Sequence, residues 1–286
     1  MTQEEKDKLD IFIAAALAED VGEGDHTTLS IISAGKIGEA QLIIKEPGVL
    51  AGVEEALAVF DQVDETLDVE VFIEDGQLVR AGDIVMRVHG NIHGILIAER
   101  LVLNIMQRMS GIATTTHRIA AALADTHTKV LDTRKTTPLL RFLEKKAVAI
   151  GGGVNHRFGL YDMILIKDNH VDYAGGIKPA IEKANQYREH LDKPIAIEVE
   201  VRNLNELDEV LEVGQVDRIM LDNFGPDQLR EAVIRIGGRF VTEASGGITA
   251  ETVRQYADAG VDFISIGALT HSVKSLDMSL KAKLVD

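Results

Sequence analysis

Between residues 129 and 265 the chain repeats one pattern, a short apolar run of strand length followed by a stretch of helical periodicity. The runs begin near Lys129, Met163, Ile195, Arg218, Arg239 and Asp262, at intervals of 34, 32, 23, 21 and 23 residues. Such intervals argue for parallel strands, because a parallel neighbour needs a crossover of a dozen residues or more, usually a helix. Pro226 suits a first helical turn, and Thr249 can cap a helix that Gly260 closes. Upstream the pattern is different. Thr2 and Glu5 fit a capping box ahead of Leu9, Phe12, Ile13, Ala16 and Leu17 on one helical face. Glu19 to Thr28 reads as a loop, and Ala40 to Ile44, Asp68 to Ile73 and Ile84 to Val88 read as strands. A long helix is expected from about Ile95, with a break or bend near Gly111. The expected organisation is a mixed α/β domain over 1–111, an α/β barrel over 112–270 and a terminal segment over 271–286.

Composition excludes several classes. With 45% apolar and 27% charged residues in 286, the chain has the balance of a globular protein. It has no cysteine, which removes disulfides and thiolate metal sites, and no apolar run of membrane-spanning length. A cytoplasmic protein is expected. The net charge of -16 argues against nucleic acid and anionic membranes as partners. Within that acidic chain, residues 132–170 carry seven Lys/Arg against four Asp/Glu. Such a basic island suggests a local anion site, although Lys145 and Lys146 read as the solvated face of a helix.

In β/α barrels the chemistry gathers at the C-terminal ends of the strands. Here those ends read Asp132-Thr133-Arg134-Lys135, Lys167-Asp168-Asn169-His170, Glu198-Val199-Glu200, Asp222-Asn223, Glu243-Ala244-Ser245-Gly246-Gly247 and Ile266-Gly267-Ala268. Alternation along Ile195 to Val201 sends Ala196, Glu198 and Glu200 into the barrel, with Glu200 nearer the mouth and Glu198 a partner for a lysine or arginine. Arg134, Lys135, Arg157 and Lys167 suit carboxylates and phosphates, and His156 stands in the same island. Glu200 and Asp222 suit Mg²⁺ shared with a substrate's phosphates. Ser245-Gly246-Gly247 and Ile266-Gly267-Ala268 suit a phosphate held by backbone N–H groups. A sugar phosphate plus a second polyanion would use all three sets. Lys167 as a Schiff-base lysine is the lesser alternative.

Three of these stretches are long: Asp132-Thr133-Arg134-Lys135-Thr136-Thr137-Pro138, Gly151-Gly152-Gly153-Val154-Asn155-His156-Arg157 and Leu165-Ile166-Lys167-Asp168-Asn169-His170. With Glu99-Arg100, Ser110-Gly111-Ile112-Ala113-Thr114, Leu221-Asp222-Asn223-Phe224 and Gly267-Ala268-Leu269-Thr270-His271-Ser272, the chain resembles the quinolinate phosphoribosyltransferases. The resemblance implies an N-terminal α/β sandwich domain, an incomplete barrel of six or seven parallel strands, and a C-terminal segment packed back on the first domain. It implies transfer of phosphoribose from phosphoribosyl pyrophosphate to quinolinate with decarboxylation, in a homodimer or larger assembly that shares its active site through Arg100. Arg100, Arg134, Lys135, His156 and Arg157 would meet quinolinate, and Thr133 would line its site. Lys167 would lie near both substrates, Lys135 would assist decarboxylation, and Glu200 and Asp222 would meet the ribose and Mg²⁺. Ser245, Gly246, Gly247, Ile266, Gly267 and Ala268 would hold the phosphate. A related enzyme acting on another ring acid, or a silent sugar-phosphate sensor, is the alternative. The chain departs from the family at Leu139, where glycine is usual.

Overall fold

The computed structural model describes residues 2–283. Its strands are β1 (Ile37–Ile44), β2 (Gly48–Val49), β3 (Asp68–Val71), β4 (Leu78–Val79), β5 (Ile84–Asn91), β6 (Lys129–Leu131), β7 (Met163–Ile166), β8 (Ala196–Val201), β9 (Arg218–Asp222), β10 (Val241–Ser245), β11 (Phe263–Ser265) and β12 (Met278–Lys283). They divide between two compact units. The first takes in residues up to 115, 138–151 and those from 273 onward; the second takes in 116–137 and 152–272. Among the described residues no helix is long and apolar enough to cross a membrane.

The first unit is an antiparallel sheet in the order β12-β1-β5-β3, with β2 and β4 as a separate pair. Period-two alternation buries Ala40, Leu42 and Ile44 of β1 and Met86 and Val88 of β5 on one face. The C-terminal strand completes the edge, pairing Met278 with Ile44 and Leu280 with Leu42. Residues 284–286 of the expected terminal segment lie outside the described residues. The capping box forms as the sequence suggests, Glu5 N–H donating to Thr2 Oγ1 at 3.2 Å and Thr2 N–H to Glu5 Oε2 at 2.7 Å. Within the expected loop after it, Asp25 caps a further short helix, His26–Ile31, by accepting from Thr28 N–H at 3.0 Å.

Three expectations change in this unit. The long helix runs unbroken from Ile92 to Ala122, through Gly111. A Cβ at Gly111 would stand 2.3 Å from the Lys274 carbonyl oxygen, so glycine is there for close approach of the returning chain. Residues 138–151, read as part of the barrel, belong to the first unit. The helix Arg141–Ile150 packs there, Phe142 edge-on to Phe12 with centroids 6.0 Å apart and Glu144 taking Arg108 Nη2 at 2.6 Å. Lys145 and Lys146 are therefore not a solvated face. Lys145 is buried, and Lys146 lies 2.6 Å from both Glu54 and Glu55. Glu55 is wholly buried and needs a cation, because a lone interior carboxylate costs several kcal/mol.

The second unit is a six-stranded, all-parallel sheet in the order β6-β11-β10-β9-β8-β7. The last strand, β11, pairs with the first, β6, as barrel closure requires, whereas β6 and β7 do not pair. On the open side of β6, Val154 makes a single parallel bridge to Leu131. The incomplete barrel follows from the chain path: the connection from β6 to β7 carries its helix into the first unit and contributes none to the barrel wall. Between the later strands the helices form as expected, with Pro226 opening Pro226–Ile236. The helix after β10 starts at Val253, capped at Thr252 rather than Thr249, whose carbonyl instead accepts from Val253 N–H at 2.9 Å.

Leu139 takes φ 66 and is 88% exposed. Left-handed backbone costs a non-glycine residue about 1–2 kcal/mol, against roughly 0.5–1 kcal/mol for the added freedom of glycine in the unfolded chain. Leu139→Gly is expected to raise stability by about 0.5–1 kcal/mol in urea unfolding.

Candidate active site

The C-terminal ends of the barrel strands surround a cavity of about 840 Å³, lined wholly by residues of the second unit. From β7 to β11 its lining follows strand alternation. Leu165 and Lys167, Met220 and Asp222, Glu243 and Ser245, and Ser265 and Gly267 are each two residues apart, and Glu200 lines it from β8. Inward-facing side chains of one strand repeat every second residue, so the same rule that builds the barrel delivers these groups to its mouth.

The four cations expected there all line the cavity. Arg134 and Lys135 follow β6, Arg157 follows the Val154 bridge, and Lys167 follows β7. The Arg157 guanidinium is steadied by Nη1 donating to the Met163 carbonyl at 3.1 Å. Burial, and then the like charge of Arg134, lower the pKa of Arg157. Two guanidiniums held near each other in a half-buried pocket are a receptor for an anion. Lys167 Nζ stands 3.8 Å from Glu200 Oε2. Burial raises the Glu200 carboxyl, Lys167 opposes this, and the charges of Asp222 and Asp168 raise it further. Glu200 and Asp222 thus belong to one cluster of carboxylates, which a divalent cation would relieve.

The glycine turns close the far side. Asn223 takes φ 59, its N–H donates to the Ser245 carbonyl at 2.8 Å and its Nδ2 to Asp222 Oδ2 at 2.5 Å. Gly246 has φ 98, and a Cβ there would stand 2.2 Å from Asn223 Oδ1. At Gly267 a Cβ would meet Lys135 Cδ at 2.9 Å and His271 Cδ2 at 3.1 Å, so the glycine lets the Lys135 side chain lie across the turn. Thr270 Oγ1 fixes the same lysine's backbone, donating to its carbonyl at 2.9 Å. Lys135 is therefore beside the second glycine turn.

Below this mouth lies a charged layer. Glu198 and Glu243 are both 0% exposed. His156 Nε2 is 3.0 Å from Glu198 Oε2 and 3.4 Å from Glu243 Oε2, and Arg218 Nη1 is 3.0 Å from Glu243 Oε2. The partner expected for Glu198 was a lysine or arginine; the structure supplies a histidine. Burial lowers the His156 imidazole and the two carboxylates raise it, while the Arg157 N–H on Nδ1 opposes a second ring proton, since a doubly protonated ring has no lone pair to accept it. Burial, and then the charge of Glu243, raise Glu198. The ligand-type atoms of His156, Glu198 and Glu243 lie within 4.8 Å of one another, a spacing that could hold a metal. Arg218 already answers one of the carboxylates, and a second cation there would be repelled.

Comparison with known proteins settles the family. Residues 25–110 match the N-terminal domain of quinolinate phosphoribosyl transferase, and residues 112–281 match its C-terminal domain. The chain belongs to the quinolinate phosphoribosyltransferase family. It is 47% identical over 281 residues to the mitochondrial quinolinate phosphoribosyltransferase [decarboxylating] 2a of Nicotiana tabacum, covering 93% of this chain and 80% of that one. It is 44% identical to a probable nicotinate-nucleotide pyrophosphorylase [carboxylating] of Bacillus subtilis, covering 93% and 90%. Among solved structures, the nicotinate-nucleotide pyrophosphorylase of Francisella tularensis superposes with a TM-score of 0.91 at 38% identity over 97% of each chain.

Within this family member, every expected site residue of the second unit lines the cavity: Thr133, Arg134, Lys135, His156, Arg157, Lys167, Glu200, Asp222, Ser245, Gly246, Gly247, Ile266, Gly267 and Ala268. Arg100 is exposed on the Ile92–Ala122 helix of the first unit and is not among the lining residues. The structure adds Asn223, Glu243, Thr249, Ser265 and His271. Glu243 was within reach of sequence, since Val241, Glu243 and Ser245 share a face by the alternation that singled out Glu198 and Glu200. Asn223 was placed at a barrel-strand end by the sequence, but its left-handed backbone against Gly246 is a tertiary outcome. Since Gly246→Ala must displace Asn223 and adopt a strained φ, it is expected to cost about 1–3 kcal/mol in thermal or urea unfolding.

Proposed function

We propose that this cavity joins the ring nitrogen of quinolinate to the C1 carbon of phosphoribosyl pyrophosphate, releasing pyrophosphate, and that the product loses CO₂ to give nicotinate mononucleotide. One observation carries the reading: Arg134, Lys135, Arg157 and Lys167 line a single cavity that also holds Glu200, Asp222 and two glycine turns. Two highly charged anions repel each other in water, and a pocket lined by fixed cations removes that barrier while orienting both.

Arg134 and Arg157, with planar forks, take the two carboxylates of quinolinate, and Thr133 and His156 complete that end. Ser245, Gly246 and Gly247 cradle the 5′-phosphate through backbone N–H groups, as does the Ile266-Gly267-Ala268 turn. Lys135, lying across Gly267, reaches the donor's phosphates. Lys167, between Glu200 and the quinolinate end, spans both substrates. Glu200 and Asp222 would hold Mg²⁺, whose chemistry there would be to neutralise negative charge on the leaving group. As the C1–oxygen bond breaks, positive charge grows on the ribose, and the same two carboxylates stabilise it.

No general base is needed, because the attacking ring nitrogen bears no proton. Its lone pair forms the new C–N bond, and the pyrophosphate departs with the electrons of the old one. The ring is then cationic and accepts the electron pair left when the adjacent C–C bond breaks and CO₂ leaves. A proton must finally reach that ring carbon, and the ammonium group of Lys135 or Lys167 supplies it.

We further propose that the protein works as a homodimer or larger assembly in the cytosol, with Arg100 of one subunit meeting quinolinate in the site of the next. The exposure of Arg100 supports this, since it leaves the guanidinium available to a partner.

Purified protein given quinolinate, phosphoribosyl pyrophosphate and Mg²⁺ is expected to yield nicotinate mononucleotide and an equal amount of CO₂; nicotinate consumed without CO₂ would instead identify a different ring acceptor. Arg134→Ala should lower kcat/KM for quinolinate by about 100-fold or more, the effect of removing a charged hydrogen-bonding group from an ionic ligand; near-normal turnover would remove quinolinate from this end of the cavity. Mixing inactive Arg100→Ala and Lys135→Ala subunits should restore roughly a quarter of the sites, because half the dimers are mixed and each rebuilds one intact site. No recovery on mixing would leave Arg100 outside the shared site.

A further inference from the structure

The geometry points to Glu198 and Glu243 as positioning residues for quinolinate binding: from beneath the cavity they fix the His156 ring, and through it the backbone from which Arg157 reaches the ligand. The inference rests on the quinolinate reading of the site.

It starts from where the two carboxylates stand. Glu198 is one inward step below Glu200 on β8, and Glu243 is one step below Ser245 on β10. Arg218 is two steps below Asp222 on β9, with its guanidinium 4.7 Å from the Phe263 ring centroid. This level of a barrel is ordinarily filled with aliphatic side chains. Replacing a buried ion pair by apolar residues of similar volume is often neutral or stabilising, so stability alone does not explain two wholly buried carboxylates.

His156 is what they act on. Two residues after the Val154 bridge, its backbone N–H donates to the buried Asp132 Oδ1 at 2.8 Å. Its Nε2 faces Glu198 and Glu243, and its Nδ1 accepts the backbone N–H of Arg157 at 2.7 Å. The ring state these contacts favour carries its proton on Nε2, facing the two carboxylates, and its lone pair on Nδ1, facing the Arg157 amide. A proton on Nδ1 would oppose the Arg157 amide. The charges also fit, because Arg218 answers Glu243 and leaves Glu198 free to receive the Nε2 proton. Removing the acceptor beneath the ring lets it rotate, and the amide of Arg157 loses its seat. Without Glu198 the guanidinium also loses that carboxylate's attraction, and it keeps its tie to the Met163 carbonyl and the charge of Asp162 while the like charge of Arg134 pushes against it. Glu243 also accepts from Ser265, one inward step below Gly267, so it is the Glu198 variants, which leave Glu243 in place, that are expected to spare donor binding.

The test compares full-length Glu198→Leu, Glu198→Gln and the double variant Glu198→Leu/Glu243→Gln with the unaltered enzyme. Leucine removes the acceptor and leaves the His156 Nε2 hydrogen buried without it, so Glu198→Leu should melt lower than the unaltered enzyme; Gln keeps an acceptor oxygen and should behave nearly as Glu. Glu198→Leu is expected to raise the KM for quinolinate about tenfold or more, while the KM for phosphoribosyl pyrophosphate stays within about twofold and Glu198→Gln recovers most of the loss. ¹⁵N-histidine NMR of the ligand-free protein, with the His156 signal assigned by its loss in His156→Gln, should show the Nε2-protonated ring in the unaltered enzyme and a mixture of ring states in the leucine variants. An unchanged ring signal in both leucine variants, or KM values that rise together for both substrates, would overturn the inference. The NMR arm uses no substrate. If the unaltered enzyme failed to turn over quinolinate, the functional reading would fall while the ring signal still decided whether the two carboxylates hold His156.

Discussion

Glu198, Glu243 and Arg218 occupy a level of the barrel where aliphatic side chains usually interlock, and the low-dielectric interior leaves them no choice but to pair. That requirement draws His156 in from the β6–β7 connection, 3.0 Å from Glu198, at the side where β6 and β7 do not pair. A missing strand would otherwise leave a gap. On that side the Val154 bridge to Leu131 and the His156 N–H bond to Asp132 tie the connection to the end of β6.

Pairing below permits excess above. Arg218 and the His156 ring answer most of the lower layer, so the cations at the mouth are largely left to act on ligands, although Arg157 also feels Glu198. Arg134 and Arg157 repel each other, and burial makes that repulsion stronger than water would allow. Glu200 suffers the opposite crowding with Asp222 and Asp168, moderated by Lys167. A pocket with like charges forced together on each side is strained until oppositely charged groups arrive, and two anionic substrates with a divalent cation are such groups. The glycine turns add directional N–H groups without net charge, so they hold phosphate without deepening the imbalance.

In the first unit a buried charge again organises its neighbours. Glu55 is wholly buried, and Lys146 comes to it from the segment 138–151, which in sequence lies between two barrel strands. The charge pattern of Arg141-Phe142-Leu143-Glu144-Lys145-Lys146 looks like a solvated helix because the partners are about ninety positions away in the chain. Gly111 teaches a related point. Inside a helix a glycine reads as a breaker, yet this one is kept because the Lys274 carbonyl passes too close for any side chain.

Sequence by itself determined the strand spacing of the barrel and, through alternation, which residues of each strand turn inward, because a two-residue period needs no partner to be read. It also determined the family, through long motifs around Arg134, Arg157 and Lys167. What tertiary structure decided is everything that depends on two distant segments meeting. The histidine rather than a lysine or arginine against Glu198, the left-handed Asn223 against Gly246, and Lys135 lying across Gly267 are of this kind. Periodicity is a local property of the backbone, whereas the pairing of a buried charge is settled only when folding removes water and leaves it whichever partner the packed chain brings within reach.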